Sequence, residues 1–332
     1  MFSLINPQDP RFWGLIRQLG REIGWQSPLH TRSALSYYQQ RPQDNGDELD
    51  DRSFVMLWEN HPVAAFIGAL VCRNDGKQDL LAFEIPCHVI EHVKKLTTKA
   101  SKRFLVEVDE ILHEVSGSIQ FRDFLIDGRV SAFSKYLLSK KGGGSPIFYN
   151  VIDLSYNESY LKSKLRKSYR SLVNWGKREL NPTVVYKEDV TWDLVDEFRQ
   201  LHIRQAGRET RSEESWKRQY DMVKAGEAYI VVGYLNDCLV SAGFFMCSNT
   251  NCYYGSSASR RDLFEKPLFH SLMWTAILYA KDIGCSWFEV GEQVYPNHPR
   301  GVRPNEKEIG ISDFKAGFGG ETKMFLDLKL NS

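Results

Sequence analysis

No two of the six cysteines form a CxxC pair: Cys72, Cys87, Cys238, Cys247, Cys252 and Cys285 are scattered along 332 residues. This argues against a paired-cysteine zinc site or a disulfide framework and suits thiols in a reducing compartment. Long apolar runs are also missing. The longest, Ala64 to Val71, is far short of the roughly 20 residues that span a bilayer as a helix. The start, MFSLINPQDPRFWGL, meets Asn6, Pro7, Asp9 and Pro10 before it could build a signal-peptide core, so a cytoplasmic protein is expected. Nor is there an excess of one charge. Lys and Arg number 43 against 42 Asp and Glu, so any site for a polyanion must be local.

What is present is a folded-protein composition, 42% hydrophobic and 13% aromatic, in a chain long enough for two cores. Two stretches have the same layout. Ser53 to Pro86 has apolar runs around a polar Glu59-Asn60-His61 turn and a second turn at Asn74-Asp75-Gly76; Ala228 to Ser259 has turns at Asn236-Asp237 and Ser248 to Asn251. Each pattern predicts a three-strand meander. Placing Asn60 on Asn236 also places Val55 on Val231, an offset of 176 residues. A helix is expected after each meander, over Cys87 to Ala100 and over Pro267 to Ile283, the latter stopped by Gly284. These features predict a duplicated α/β unit. Lys140 to Pro146, KKGGGSP, is the strongest flexible signal and sets the expected boundary, giving domains 1–146 and 147–332. Cys285 to Gly291 then reads as a strand added parallel to the second meander, Glu292 to Glu308 as a long loop, and MFLDLKL as a final strand.

Three segments have side chains suited to chemistry. Lys162 to Arg178 holds seven basic residues and no acidic one. Taken as one helix, it gathers Lys162, Arg166, Arg170 and Lys177 into one strip that could neutralise a polyphosphate or an RNA backbone. Phe314 to Gly320, FKAGFGG, sets a lysine among three glycines, whose amides could meet an anion or a developing oxyanion. His88-Val89-Ile90-Glu91-His92 matches the HxxEH string of inverted zinc peptidases, provided that a helix places both histidines on one face. Short as it is, that string competes with the meander-and-helix repeat that spans the same residues.

The order Leu165 to Arg170, Tyr253-Tyr254-Gly255-Ser256-Ser257, Leu272 to Gly284, Phe288-Glu289-Val290-Gly291 and Ile311 to Gly320 resembles the FemABX-type transferases, which resemble tandem acetyltransferase (GNAT-like) domains. The specific part of the resemblance covers residues 160 to 329. It implies an α/β fold of two GNAT-like domains, each a mixed, largely antiparallel sheet flanked by helices. It also implies N-acyl transfer from aminoacyl-tRNA to an amine on a peptidoglycan peptide or on a nucleotide- or lipid-linked sugar, with no resident cofactor. In that family the lysine of the FK motif is functional, which matches Lys315. Arg166, Arg170 and Lys162 become candidate phosphate contacts, and Tyr253, Tyr254, Phe314 and Gly319 further substrate contacts. The long paired helical arm of some members is missing.

Two alternatives stay open. Acyl-coenzyme A is a possible donor, although the turn where GNAT enzymes bind its pyrophosphate reads Ser259 to Pro267 here and holds no glycine. The alternative of another class is a non-catalytic RNA- or phosphate-binding module on the same scaffold. If it is an enzyme, attack by an amine needs a proton acceptor, for which Glu289 and Glu292 are candidates unless they pair with Arg300 or Arg303.

Overall fold

The computed structural model describes residues 2–331 apart from 93, 141 and 298–302. Two sheets carry the strands. The smaller joins Phe2–Ile5, Phe54–Trp58, His61–Ile67 and His88–Glu91, all antiparallel. The larger runs through eleven strands in the order Thr183–Val185, Ala228–Leu235, Cys238–Cys247, Asn251–Ser259, Trp287–Gln293, Gly143–Asp153, Glu321–Asn331, Ser118–Asp123, Gln78–Leu81, Ala69–Cys72 and Glu48–Asp51. It is therefore mixed and largely antiparallel, and it draws strands from both halves of the chain.

The second meander folds as the sequence predicts. Asn236 and Asp237 occupy the left-handed region, at φ 50° and 59°, and make the two-residue turn. The first meander has its matching pair at Glu59 and Asn60, φ 52° and 64°. The turns thus superimpose at 177 residues rather than 176, because the shared asparagine stands at different positions of the two turns. Beyond Ile67 the pattern changes. At Gly68 a Cβ would fall 2.7 Å from Cys87 Sγ, so the chain passes there from the small sheet into the large one without a side chain.

Cys87 to Ala100 does not form the expected helix. His88–Glu91 is a strand against His61–Ile67, and the helix begins later, at Thr98–Leu112, capped by the Thr97 hydroxyl. With His88 and Glu91 on a strand the helical geometry of an HxxEH site is lost, and among the described residues no His, Cys, Asp and Glu cluster could hold a metal. The Gly-rich boundary signal is also ordered. Gly143 to Ser145 open the eleven-residue strand Gly143–Asp153, which the final strand Glu321–Asn331 covers from Lys329 back to Glu321. Backbone pairing there outweighs the glycines' intrinsic freedom.

The basic segment is two helices, Glu158–Lys164 and Lys167–Glu179, broken by extended residues Leu165 and Arg166. The single strip through Lys162, Arg166, Arg170 and Lys177 therefore does not exist. Within Lys167–Glu179 the buried positions are Tyr169, Val173 and Gly176, and Lys167, Arg170, Lys177 and Arg178 are exposed. Pro267 lies in a turn ahead of the helix His270–Asp282, and the later loop contains the helix Glu306–Ala316, opened by a capping box between Asn305 and Glu308.

Candidate functional site

The strand Trp287–Gln293 pairs parallel with Asn251–Ser259 only from Asn251 to Tyr253, opposite Trp287 to Glu289, and then diverges. On its other side it pairs with Gly143–Asp153, where Glu289 faces Val151 and Gly291 faces Asn150. One residue more has been used on the first strand, so Val290-Gly291 is a bulge, with Gly291 at φ 121°. The bulge decides the chemistry. In a regular strand residues 289 and 292 point to opposite faces; here both carboxylates act on Tyr149 and push up its pKa, after burial, its main cause.

Gly291 also admits Lys315. A Cβ built on Gly291 would stand 2.7 Å from Lys315 Nζ and 3.2 Å from Cε. Lys315 comes from the last turn of Glu306–Ala316, where a cation suits the helix dipole. Burial pulls its pKa below the ordinary lysine value, and Glu292 opposes that shift. A partly desolvated lysine thus stands at a strand bulge, within electrostatic reach of Glu292.

The turn after Lys315 is held from two sides. Asn150 Nδ2 donates to the Lys315 and Gly319 carbonyls at 3.1 and 2.7 Å. Opposite, Arg166 donates its backbone N–H to the Gly317 carbonyl at 2.8 Å and its Nη2 to the Asp313 carbonyl at 2.9 Å, and the Tyr169 hydroxyl donates to the Phe314 carbonyl at 3.2 Å. Glycines permit this closeness: a Cβ on Gly317 would fall 2.2 Å from the Tyr169 ring, and one on Gly320 2.7 Å from the Val151 carbonyl. The N–H groups of Gly317, Phe318 and Gly319 bond to carbonyls of the helix end. Those amides are spent on the turn, which leaves the Lys315 side chain as its donor for an incoming group.

Glu289 is 1% exposed and accepts from Asn251 Nδ2 at 2.8 Å. Burial raises its pKa to about 7, against the pull of Asn251, Arg122 and Lys323. It is thus poised to exchange a proton near neutrality. Tyr253 shares this face, while Tyr254 packs on the other, its ring 5.5 Å from Phe269 and its hydroxyl on Ser257. Phe314 stacks into the same aromatic group, against Phe318, His270 and Tyr169. Arg170 bonds the Ser163 carbonyl, and Lys162 is half-buried on the shorter helix. Arg300 lies outside the described residues.

Sequence reasoning missed Arg122, Asp327, Tyr149, Lys323 and Trp287 around Glu289. Arg122 donates Nε and Nη2 to Asp327 at 2.7 and 3.0 Å and Nη1 to the Tyr149 hydroxyl at 3.1 Å. Lys323 Nζ lies 3.8 Å from the centre of the Trp287 ring. Only the pairing of Glu321–Asn331 with Gly143–Asp153 and Ser118–Asp123 brings them together. Near Trp287 and Lys323, a cleft of about 170 Å³ opens between Gly320, Tyr156, Tyr160 and Lys164.

No family model matches the chain, and no curated protein matches it in sequence. Solved structures do match in fold. FemX superimposes with a TM-score of 0.69 at 12% identity, over 98% of this chain and 96% of that one. The putative lysylphosphatidylglycerol synthetase C-terminal domain from Agrobacterium fabrum gives 0.56 at 12%, over 96% and 92%. A tandem GNAT protein from the clavulanic acid biosynthesis pathway gives 0.51 at 13%, over 100% and 98%. The fold is thus the FemX-like tandem GNAT arrangement; at these identities the likeness is one of fold.

Proposed function

From that premise we propose that the chain is an N-acyltransferase that moves an aminoacyl group from aminoacyl-tRNA, or another acyl group, to an amine on a cell-wall or cell-surface precursor. The observation that carries this reading is Lys315 held over the Gly291 bulge within electrostatic reach of Glu292, with Glu289 on the Glu292 face. The amine nitrogen of the acceptor attacks the carbonyl carbon of the ester. A C–N bond forms, the C–O bond breaks, and the leaving oxygen takes a proton. Lys315 donates to the oxyanion of the tetrahedral intermediate, and a donor so placed contributes on the order of 3 kcal/mol. Glu289 or Glu292 takes the proton that the amine loses. Arg166 acts through Lys315, as a positioning residue for its turn. The same reading divides the chain at 1–146 and 147–332, with the acceptor a peptidoglycan peptide or a nucleotide- or lipid-linked sugar.

Aminoacyl-tRNA is preferred over acyl-coenzyme A on a specific observation. In the turn that would cradle a pyrophosphate, the N–H groups of Leu263, Phe264, Lys266 and Leu268 bond to carbonyls of that turn and are not open to a phosphate. The test supplies labelled amino acid with ATP, synthetase and tRNA in one arm and labelled acyl-coenzyme A in another. It then follows the label into an extracted amine-bearing precursor. Ribonuclease-sensitive labelling that Lys315→Ala abolishes without loss of fold is the expected result. Full turnover by Lys315→Ala would overturn the site, and salt-sensitive RNA binding without turnover from any donor would leave a binding module.

A further inference from the structure

Phe264 is 86% exposed, well beyond the next large apolar side chain among the described residues, Met324 at 51%. It stands at the crest of the turn between Arg261–Leu263 and the helix His270–Asp282, on a backbone that is not loose. Phe264 N–H bonds the Arg261 carbonyl at 3.2 Å, Lys266 N–H bonds the Leu263 carbonyl at 2.9 Å, and Leu263 packs on the core that contains Phe269. The chain thus spends backbone bonds and an anchoring leucine on holding a phenylalanine out in water.

Cations surround the crest. Arg261 and Lys266 flank it, both exposed. Lys266 Nζ lies 5.9 Å from the centre of the Trp175 ring, which joins the turn to the helix Lys167–Glu179. At 3.6 residues per turn, Lys177, Arg170, Lys167 and Arg178 share an arc of about 100° on that helix. Asp262 is paired with Arg260; Glu265 and Glu179 are exposed beside the crest, and Glu197 and Asp237 share with Arg204, Arg260 and Arg261 the cleft next to it, so cations still outnumber acids. A single projecting ring on a net-positive edge complements a surface that is anionic outside and apolar beneath. An RNA base, by contrast, is held in a groove between stacking faces.

We propose that this edge docks on an anionic lipid bilayer, with Phe264 entering the boundary between headgroups and acyl chains and the cations of the helix Lys167–Glu179, with Arg261 and Lys266, facing lipid phosphates. The binding itself does not depend on transfer chemistry. Its consequence for the site rests on the reading above: the turn leads to His270, whose ring lies 5.2 Å from that of Phe314, the neighbour of Lys315. Docking here brings a lipid-linked amine to that aromatic group.

The test sediments the full chain with vesicles of phosphatidylcholine alone and of phosphatidylcholine mixed with phosphatidylglycerol. The expected result is at least about tenfold more protein on the anionic vesicles. Phe264→Ser should lower that binding about tenfold while turnover of a soluble acceptor analogue stays at the parent level. Equal binding to both vesicles, or anionic binding that Phe264→Ser leaves unchanged, overturns the proposal. So does competition by tRNA that Phe264→Ser does not alter, which would make this an RNA face. Vesicle binding without turnover would count against the transfer reading alone, and turnover without vesicle binding against the docking alone.

Discussion

Lys315 and Gly291 are complementary: the ammonium occupies the place where any other residue at 291 would carry its Cβ, 2.7 Å from Nζ. Gly291→Ala should therefore act twice. A side chain at φ 121° costs of order 1–3 kcal/mol in backbone strain, and it also drives Lys315 from Glu292. Transfer should fall about a hundredfold, as expected for misplacing a catalytic group by about 1 Å. Turnover and thermal melting measured together check this; unchanged turnover would mean that the bulge does not place Lys315.

Glu289 sets an activity profile and a stability profile of opposite sense. A proton acceptor works ionised, so with Glu289 in that role kcat should rise with pH through about 7 and Glu289→Gln should lose that limb, whereas a limb that survives would assign the role to Glu292. For stability, its folded pKa stands above its unfolded value near 4.5, so the native state holds the extra proton. The contribution is complete below about 4.5 and is lost as pH rises through about 7, on the order of 3 kcal/mol. The melting temperature of Glu289→Gln relative to the parent should climb across that window and be flat outside it.

His30 and His88 work in the other direction. Their rings lie 4.8 Å apart and buried, His30 between the Ser27 hydroxyl and the Pro86 carbonyl. Burial lowers His30 to about 4 and His88 well below its ordinary value. The unfolded chain binds protons that the native state refuses, so stability is present above about 6.5 and is lost as pH falls toward 4. Among the described residues neither His88 ring nitrogen has a hydrogen-bond partner of good geometry. His88→Leu should shrink the acid loss in a melting series from pH 7 to 4; an unchanged acid limb would place the loss elsewhere.

Gly317 and Tyr169 test the clamp on the Lys315 turn. Gly317→Ala, with its Cβ at 2.2 Å from the ring, should destabilise the protein by about 1–3 kcal/mol through overpacking. Tyr169→Ala combined with it should recover part of that loss, because the obstructing ring is gone. A double-mutant cycle of melting curves measures the coupling; additive losses would separate the two residues.

Much of the second half was legible from local pattern. Asn236-Asp237 dictates a tight turn whatever surrounds it, and the apolar runs on either side of it specify strands, whereas the helix that Asn305 and Glu308 open was hidden in the long-loop reading of Glu292 to Glu308. Lys315 could be singled out because glycine and phenylalanine crowd around it and the segment order resembles a known family. The first half misled where local signals competed. His88–Glu91 has a string compatible with a helix, but it completes a sheet edge that only His61–Ile67 supplies. Gly143 to Ser145 look flexible until Glu321–Asn331 pairs with them.

The sequence by itself determined the turns and the strands of the second meander and singled out Lys315 as a candidate, because each depends on residues within a few positions. Only the tertiary structure decided that Lys315 sits over Gly291, that Glu289 and Glu292 share a face despite their spacing, and that Arg122 meets Asp327 across 205 residues. A bulge changes side-chain parity without a distinctive local signal beyond one glycine. Pairing between distant strands is selected by the burial and hydrogen bonding of the whole sheet, which no short window of sequence contains.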